Sequence, residues 1–232
     1  MNRPDPTPRG VSWHIVEAVS HGEHMNERLL IFEGYDGSGK GTLINELARV
    51  CRGKIRIIGR KDETGLKGMA QLIESSAVPL SRDAEMLLRL AIEFERLLLV
   101  AECSPNFDAL ILDRGLLSVK SWVDYYNLDP ETYAGLFEVI EHSLEGATLF
   151  LCCCDFETCW SRIKDRNHKS RKELLGKRIN QMWYQKYTQN CDAFCNARYK
   201  TVRVDTTCGI QQSLDTVVSN IRDTFDSILI GK

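Results

Sequence analysis

Residues 34 to 42 read Gly34-Tyr35-Asp36-Gly37-Ser38-Gly39-Lys40-Gly41-Thr42. The spacing G-x-x-x-x-G-K, after a short apolar run and ahead of an amphipathic stretch, is that of a loop built to wrap phosphate. Glycines let the backbone turn sharply and aim its N–H groups inward. A helix opening near Lys40 adds the positive end of its dipole, and the lysine itself brings a point charge to β- and γ-phosphates. The next position, where a hydroxyl ordinarily ligates Mg²⁺, is Gly41, and Thr42 follows. An ion held here keeps more of its water, which Mg²⁺ tolerates, and Thr42 is free for the α-phosphate. These nine positions, Tyr35 apart, are the expected cradle for ATP with Mg²⁺.

Two further groups carry charge suited to phosphoryl transfer. Ala109 to Arg114 form an apolar run ending in Asp113-Arg114. Ligands of open α/β sheets sit at the carboxyl ends of strands, so Asp113 is placed to hold Mg²⁺ and Arg114 to clamp a phosphoryl group. The plain alternative is a surface salt bridge at a strand end. Residues 162 to 178 hold eight Lys or Arg against two acids, in a chain of net charge −2. Such a run is most often a solvated face. Beside a phosphate loop it reads as a lid that brings cations and excludes water, mobile until phosphates quench its self-repulsion. Arg162 and Arg166 are expected to share a helix face.

The elements that must position these groups follow from hydropathy. Strands are expected at 29–33, 55–59, 109–113, 148–153 and 201–205. Helices are expected at 40–51, 83–102, 116–126, 130–143, 156–164, 171–197 and 210–228. Continuous apolar strands alternating with helices predict a three-layer α/β fold, a five-stranded parallel sheet flanked by helices, with the lid at 162–178. Residues 1–27 read as an N-terminal extension and 28–232 as one domain. No apolar run is long enough to span a bilayer, and the slight negative charge argues against nucleic acid as a partner. The odd count of nine cysteines, with no paired C-x-x-C, argues for reduced thiols in a cytoplasmic enzyme rather than a disulfide framework. Cys152, Cys153 and Cys154 fall within a buried strand, as small apolar fillers rather than a metal clamp.

Taken together, the chain resembles the thymidylate kinase branch of the P-loop nucleotide kinases over roughly residues 28 to 230. Phe32 to Lys40 fit that family's F-E-G-x-D-G-x-G-K segment throughout. Asp113, Arg114 and Ser118 fit its middle strand and following helix. Arg162, Arg166 and Arg171 fit its lid, and Arg60 fits the arginine that holds the acceptor phosphate. The resemblance implies transfer from ATP to a nucleoside monophosphate, dTMP first. Lys40, Arg114, Arg162, Arg166 and Arg171 would be catalytic, and a homodimer would form through the helix at 83–102. The chain departs from the family in three places. Lys61-Asp62-Glu63-Thr64-Gly65 replaces a Glu-Pro-Gly-Gly-like turn, Gly115 replaces an aromatic, and ungapped placement puts Leu90 where thymine is stacked and Phe94 where an arginine reads its edge. A shifted register makes Phe94 the stacker and Arg96 the reader. Asp36, Arg60, Glu93, Phe94, Arg96 and Arg114 are therefore the expected acceptor contacts, with Asp36 taking a sugar hydroxyl. Two other functions fit the motif: a kinase for a hydroxyl, with Asp36, Asp62 or Glu63 as base, and a non-catalytic nucleotide-binding regulator.

Overall fold

The structure is a computed structural model that describes residues 26–61, 64–75, 79–167, 169–194 and 199–225. Among the described residues five short segments form strands: β1 Leu29–Glu33, β2 Ile55–Ile58, β3 Ala109–Asp113, β4 Thr148–Cys153 and β5 Lys200–Asp205. They pair in the order β2-β3-β1-β4-β5, and every pairing is parallel. Eight α-helices accompany them among the described residues: α1 Lys40–Val50, α2 Thr64–Glu74, α3 Arg82–Cys103, α4 Leu116–Tyr126, α5 Ala134–Ser143, α6 Phe156–Lys164, α7 Lys177–Phe194 and α8 Ile210–Phe225.

Side chains alternate across a strand, and β1 shows what that does. Leu29 and Ile31 enter one core with side chains of α3, α4, α5 and α7. Leu30 and Phe32 enter the other, against Leu43, Ile44 and Leu47 of α1 and Leu214 and Val217 of α8. Both faces are thus covered, the condition under which an all-parallel sheet is stable. The expected three-layer architecture is the observed one.

Helix ends follow local chemistry. Ser81 caps α3 by accepting from the Ala84 amide at 3.1 Å, with Asp83 and Glu85 in the first turn. Asp155 caps α6 in the same way through the Thr158 amide at 2.9 Å. The expected helix 130–143 is instead a short 3-10 turn, Pro130–Tyr133, followed by α5. The expected helix 171–197 opens with a 3-10 turn at Glu173–Leu175, and Gly176, at φ 85, breaks it before α7. The expected i, i+4 pairing of Arg162 and Arg166 does not form, because α6 stops at its C-cap Asp165. One helix was not expected: α2, whose Leu66, Ala70 and Ile73 pack on Ile92 of α3. Of the expected extension 1–27, only residues 26 and 27 lie in the described part, in a 3-10 turn, Asn26–Arg28.

Candidate active site

Parallel pairing sets Phe32 beside Asp113, so the loops leaving β1 and β3 start side by side at one sheet edge. This is the crevice where open α/β sheets bind ligands. The β1 loop turns through Gly37 and Gly39, both left-handed at φ 82 and φ 86. A side chain at Gly37 would strike the Cys159 carbonyl at 2.2 Å, so glycine is required there for space as well as conformation. Ser38 Oγ is buried with no hydrogen-bond partner among the described residues. A buried unpartnered donor in a loop of this shape fits a phosphate oxygen. Gly34, Gly37, Ser38, Gly39 and Lys40 would hold the donor's phosphates, and Gly41 and Thr42 begin α1 on its exposed side.

Lys40 is buried and its ammonium bonds the Asp113 carboxylate. Burial pushes the lysine below its ordinary value, with Arg114 adding to this and Asp113 opposing it. Burial alone would raise Asp113, but Lys40, with Arg114 and Arg96 behind it, holds the carboxyl below its ordinary value. Among the described residues no group of three His, Cys, Asp or Glu gathers for a metal. An ion with one protein carboxylate, completed by phosphate and water, is the usual habit of Mg²⁺, so Asp113 fits it.

Arg114 is held in left-handed backbone at φ 69, a conformation that costs a non-glycine residue about 1–3 kcal/mol. Its amide bonds the Phe32 carbonyl at 2.9 Å. Its guanidinium donates to the Gly34 carbonyl at 3.0 Å, to Ser118 Oγ at 3.2 Å and to Asp36. The strained turn aims this cation back at the phosphate loop. Asp36 also takes Lys172. Burial alone would raise the Asp36 carboxyl, but Lys172 and then Arg114 hold it well below the carboxylate range. Asp36 therefore serves two cations here, where a sugar hydroxyl was expected.

Glu33, fully buried at the end of β1, is saturated. Its Oε1 accepts from the amides of Gly115 at 2.8 Å and Ser118 at 2.9 Å. Its Oε2 accepts from the hydroxyls of Ser118 at 2.6 Å and Tyr187 at 3.2 Å. The carboxylate thus caps the N-terminus of α4, a favourable place for negative charge. Gly115 permits this closeness: a side chain there would come to 2.9 Å of Ile31.

Beyond these groups a cavity of about 400 Å³ extends between the strand ends, α2, α3, α4 and the basic segment. Six cations line it: Arg60, Lys61, Arg89, Arg114, Arg171 and Lys172. Arg60 is fixed by Glu93 at 2.9 Å and the Gly115 carbonyl at 3.1 Å. Lys172 lies 4.2 Å from the centre of the Tyr35 ring.

Three expected acceptor contacts are corrected. Arg96 is fully buried and donates to Glu93 at 2.7 Å and to the carbonyls of Ile58, Asp113 and Arg114 at 2.8, 3.1 and 2.8 Å. It ties the ends of β2 and β3 together rather than reading a base. Glu93 is buried between Arg60 and Arg96 and neutralises both. Phe94 packs against the main core and is not among the residues lining the cavity. Two residues turn a helix by about 200°, so Phe94 points away from the cavity face that carries Ile92. Leu90, the ungapped stacking place, is core.

The three arginines expected in a lid separate. Arg162 approaches the phosphate loop, donating to the Gly37 carbonyl at 3.2 Å and the Thr206 carbonyl at 3.0 Å. Arg166 bonds Glu173 at 2.7 Å, and Arg171 bonds Glu85 at 2.8 Å. With Lys172 on Asp36, the segment is not the self-repelling run expected, because acids inside and outside it answer the charges. The sequence reading missed Arg89, Trp122, Tyr125 and Lys172. Trp122 and Tyr125 lie four and seven positions after Ser118, one helix face that could have flagged them.

The sequence profile of the family described as Thymidylate kinase matches residues 32–217. Among solved structures, thymidylate kinase from Candida albicans is 18% identical at TM-score 0.65, with 88% of this chain and 95% of that one covered. Deoxyadenosine kinase from M. mycoides, in a structure with products dCMP and a flexible dCDP bound, is 16% identical at TM-score 0.60, covering 84% and 99%. At such identity these two likenesses speak for the fold. The profile match spans most of the chain, including the glycine loop, Asp113, Arg114 and the basic segment 162–178: the chain belongs to the thymidylate kinase family and is an ATP-dependent kinase.

Proposed function

We propose that the protein moves the γ-phosphoryl group of ATP onto the phosphate of a nucleoside monophosphate. The observation that carries this is the cavity itself, where Arg60, Arg114 and Lys172 converge beside the phosphate loop. An acceptor that is already a dianion needs cations and no strong base, and guanidinium forks suit phosphate oxygens. A hydroxyl acceptor needs a free carboxylate within reach. Glu33 has four donors on it, and Asp36 has two cations. The other expected bases, Asp62 and Glu63, lie outside the described residues.

In this reading the loop amides, Ser38 and Lys40 hold the donor's phosphates. Arg162 stands at the loop's outer side, and Arg114 and Lys172 face the side where the acceptor phosphate enters. Mg²⁺ at Asp113 would neutralise charge on the donor's phosphate oxygens. Placing donor and acceptor in line between preset cations is most of the work in phosphoryl transfer. Arg60 orients the acceptor phosphate, and the segment carrying Lys172 keeps water out. The family implies dTMP, and its rank among monophosphates is decided at the far end of the cavity. The same reading carries a homodimer across α3, where Leu87 is exposed; sedimentation velocity decides it.

The test is ADP release with a panel of monophosphates and the matching nucleosides. Arg60→Met should raise KM for the monophosphate roughly tenfold or more, the loss of a charge-assisted bond. Unchanged KM would remove Arg60 from the site.

A further inference from the structure

Helix α3 carries two arginines along one side, Arg89 and Arg96, and between them Glu93 holds Arg60, which follows β2. Arg96 touches the strand ends. Arg89 lies seven residues earlier, about 10 Å along the helix, which is the reach of a nucleotide from phosphate to base. On α4 the same progression runs from Ser118, beside Arg114, to Trp122 one turn on. Arg89 and Trp122 meet: the guanidinium lies 3.7 Å from the ring centre, a cation–π geometry that fixes its plane. Glu85 anchors one edge, accepting from Arg89 Nη2 at 2.6 Å. Arg89 Nε is buried without a partner, and Nη1 makes no hydrogen bond among the described residues. A planar cation held from behind and from one side, with its Nη1 donors unspent, lines the cavity. Apolar Ala70, Ile73 and Ile92 line the cavity with it.

We infer that Arg89 reads the base of the acceptor, in place of the pairing expected at Phe94 and Arg96, and that it selects a base with two adjacent acceptors. This rests on the monophosphate-kinase reading. A guanidinium has donors only. The neighbouring carboxylate, Glu85, is already taken by Arg89, Tyr126 and Arg171, and Glu74, which lines the cavity, has both oxygens on Lys61, so neither offers the base a free acceptor. Cytosine presents N3 and O2 together, and guanine presents O6 and N7. Adenine pairs each acceptor with an amino donor, and thymine separates its two carbonyls by an N–H. The ranking is therefore dCMP and dGMP above dTMP and dAMP.

The experiment measures kcat/KM for these four monophosphates and for 2-deoxyribose 5-phosphate, which has no base, in wild type, Arg89→Lys and Arg89→Met. Lysine keeps the charge and the partner for Glu85 but loses the planar fork. The favoured bases should lead by roughly tenfold to a hundredfold in wild type, the range for a bidentate arginine–base pair. Both variants should flatten that lead while the baseless acceptor is handled as before. A lead for dAMP or dTMP in wild type, a ranking that survives in Arg89→Lys, or an equal fall for 2-deoxyribose 5-phosphate would overturn the assignment. If no monophosphate is phosphorylated, the monophosphate-kinase reading fails by itself. Equilibrium dialysis of dCMP and dAMP then decides Arg89: a binding ratio lost in the variants supports it, and an unchanged ratio overturns it.

Discussion

Glu33→Gln separates a structural carboxylate from a catalytic one. Glutamine keeps an oxygen for the Gly115 and Ser118 amides, but its NH₂ must face the Ser118 and Tyr187 hydroxyls, which then have to turn round. The loss of negative charge at the start of α4 is about 1 kcal/mol. Weakening of the charge-assisted bonds adds roughly another 1 kcal/mol. The variant should thus be about 2 kcal/mol less stable in urea denaturation. Glu33→Ala strands two backbone amides in a fully buried place, at about 1–3 kcal/mol each, so about 4 kcal/mol is expected. ADP release by the folded glutamine variant should stay within about tenfold of wild type, whereas loss of a general base would remove roughly 10²–10⁴. An alanine variant as stable as wild type would refute the capping role. A well-folded glutamine variant with turnover down more than about a hundredfold would make Glu33 the base and the acceptor a hydroxyl.

Lys40→Ala should lower turnover roughly 10²–10³-fold, as removal of a preset charge does, in a protein that still folds; near-normal turnover would exclude the mechanism. Asp36→Asn should destabilise the protein by about 3 kcal/mol at neutral pH by leaving Arg114 and Lys172 unanswered. The Asp36 carboxyl is depressed from its ordinary 3.8, so its contribution is full above that value and is lost as pH falls below it. The asparagine variant should therefore show a shallower loss of urea midpoint in acid, and parallel curves would contradict this. Lys172→Met should raise hydrogen exchange across residues 169–176, and unchanged protection would mean that the ion pair to Asp36 does not hold the segment.

Much of the framework was legible because it depends on local pattern. Apolar strands bounded by glycine and charge gave the sheet, and β1, β3 and β4 begin and end where their hydropathy does. Glycine spacing gave the phosphate loop. The acceptor side was harder, for a physical reason. In LLRLAIEFERLL, apolar and charged residues fall on every face of α3, which is packed on the core on one side and on α2 on the other. Periodicity there does not say which arginine is fully buried, so the expectation fell on Arg96 and Phe94, whereas Arg89 is the α3 arginine that lines the cavity. Helix α2 was missed because Gly65 and Gly68 dilute its pattern, although Leu66, Ala70 and Ile73 keep helical spacing. The partners of the basic segment, Glu85 and Asp36, are distant in sequence, and no local signal links them.

The most direct test of the account is a comparison of kcat/KM, by ADP release, between each monophosphate and its own nucleoside. The cations at the mouth of the cavity predict that every accepted base is taken as the monophosphate, with the nucleoside lower by roughly a hundredfold or more, the worth of two charge-assisted contacts to phosphate. A nucleoside turned over better than its monophosphate would contradict the central claim and direct the search for a base to Asp62 and Glu63.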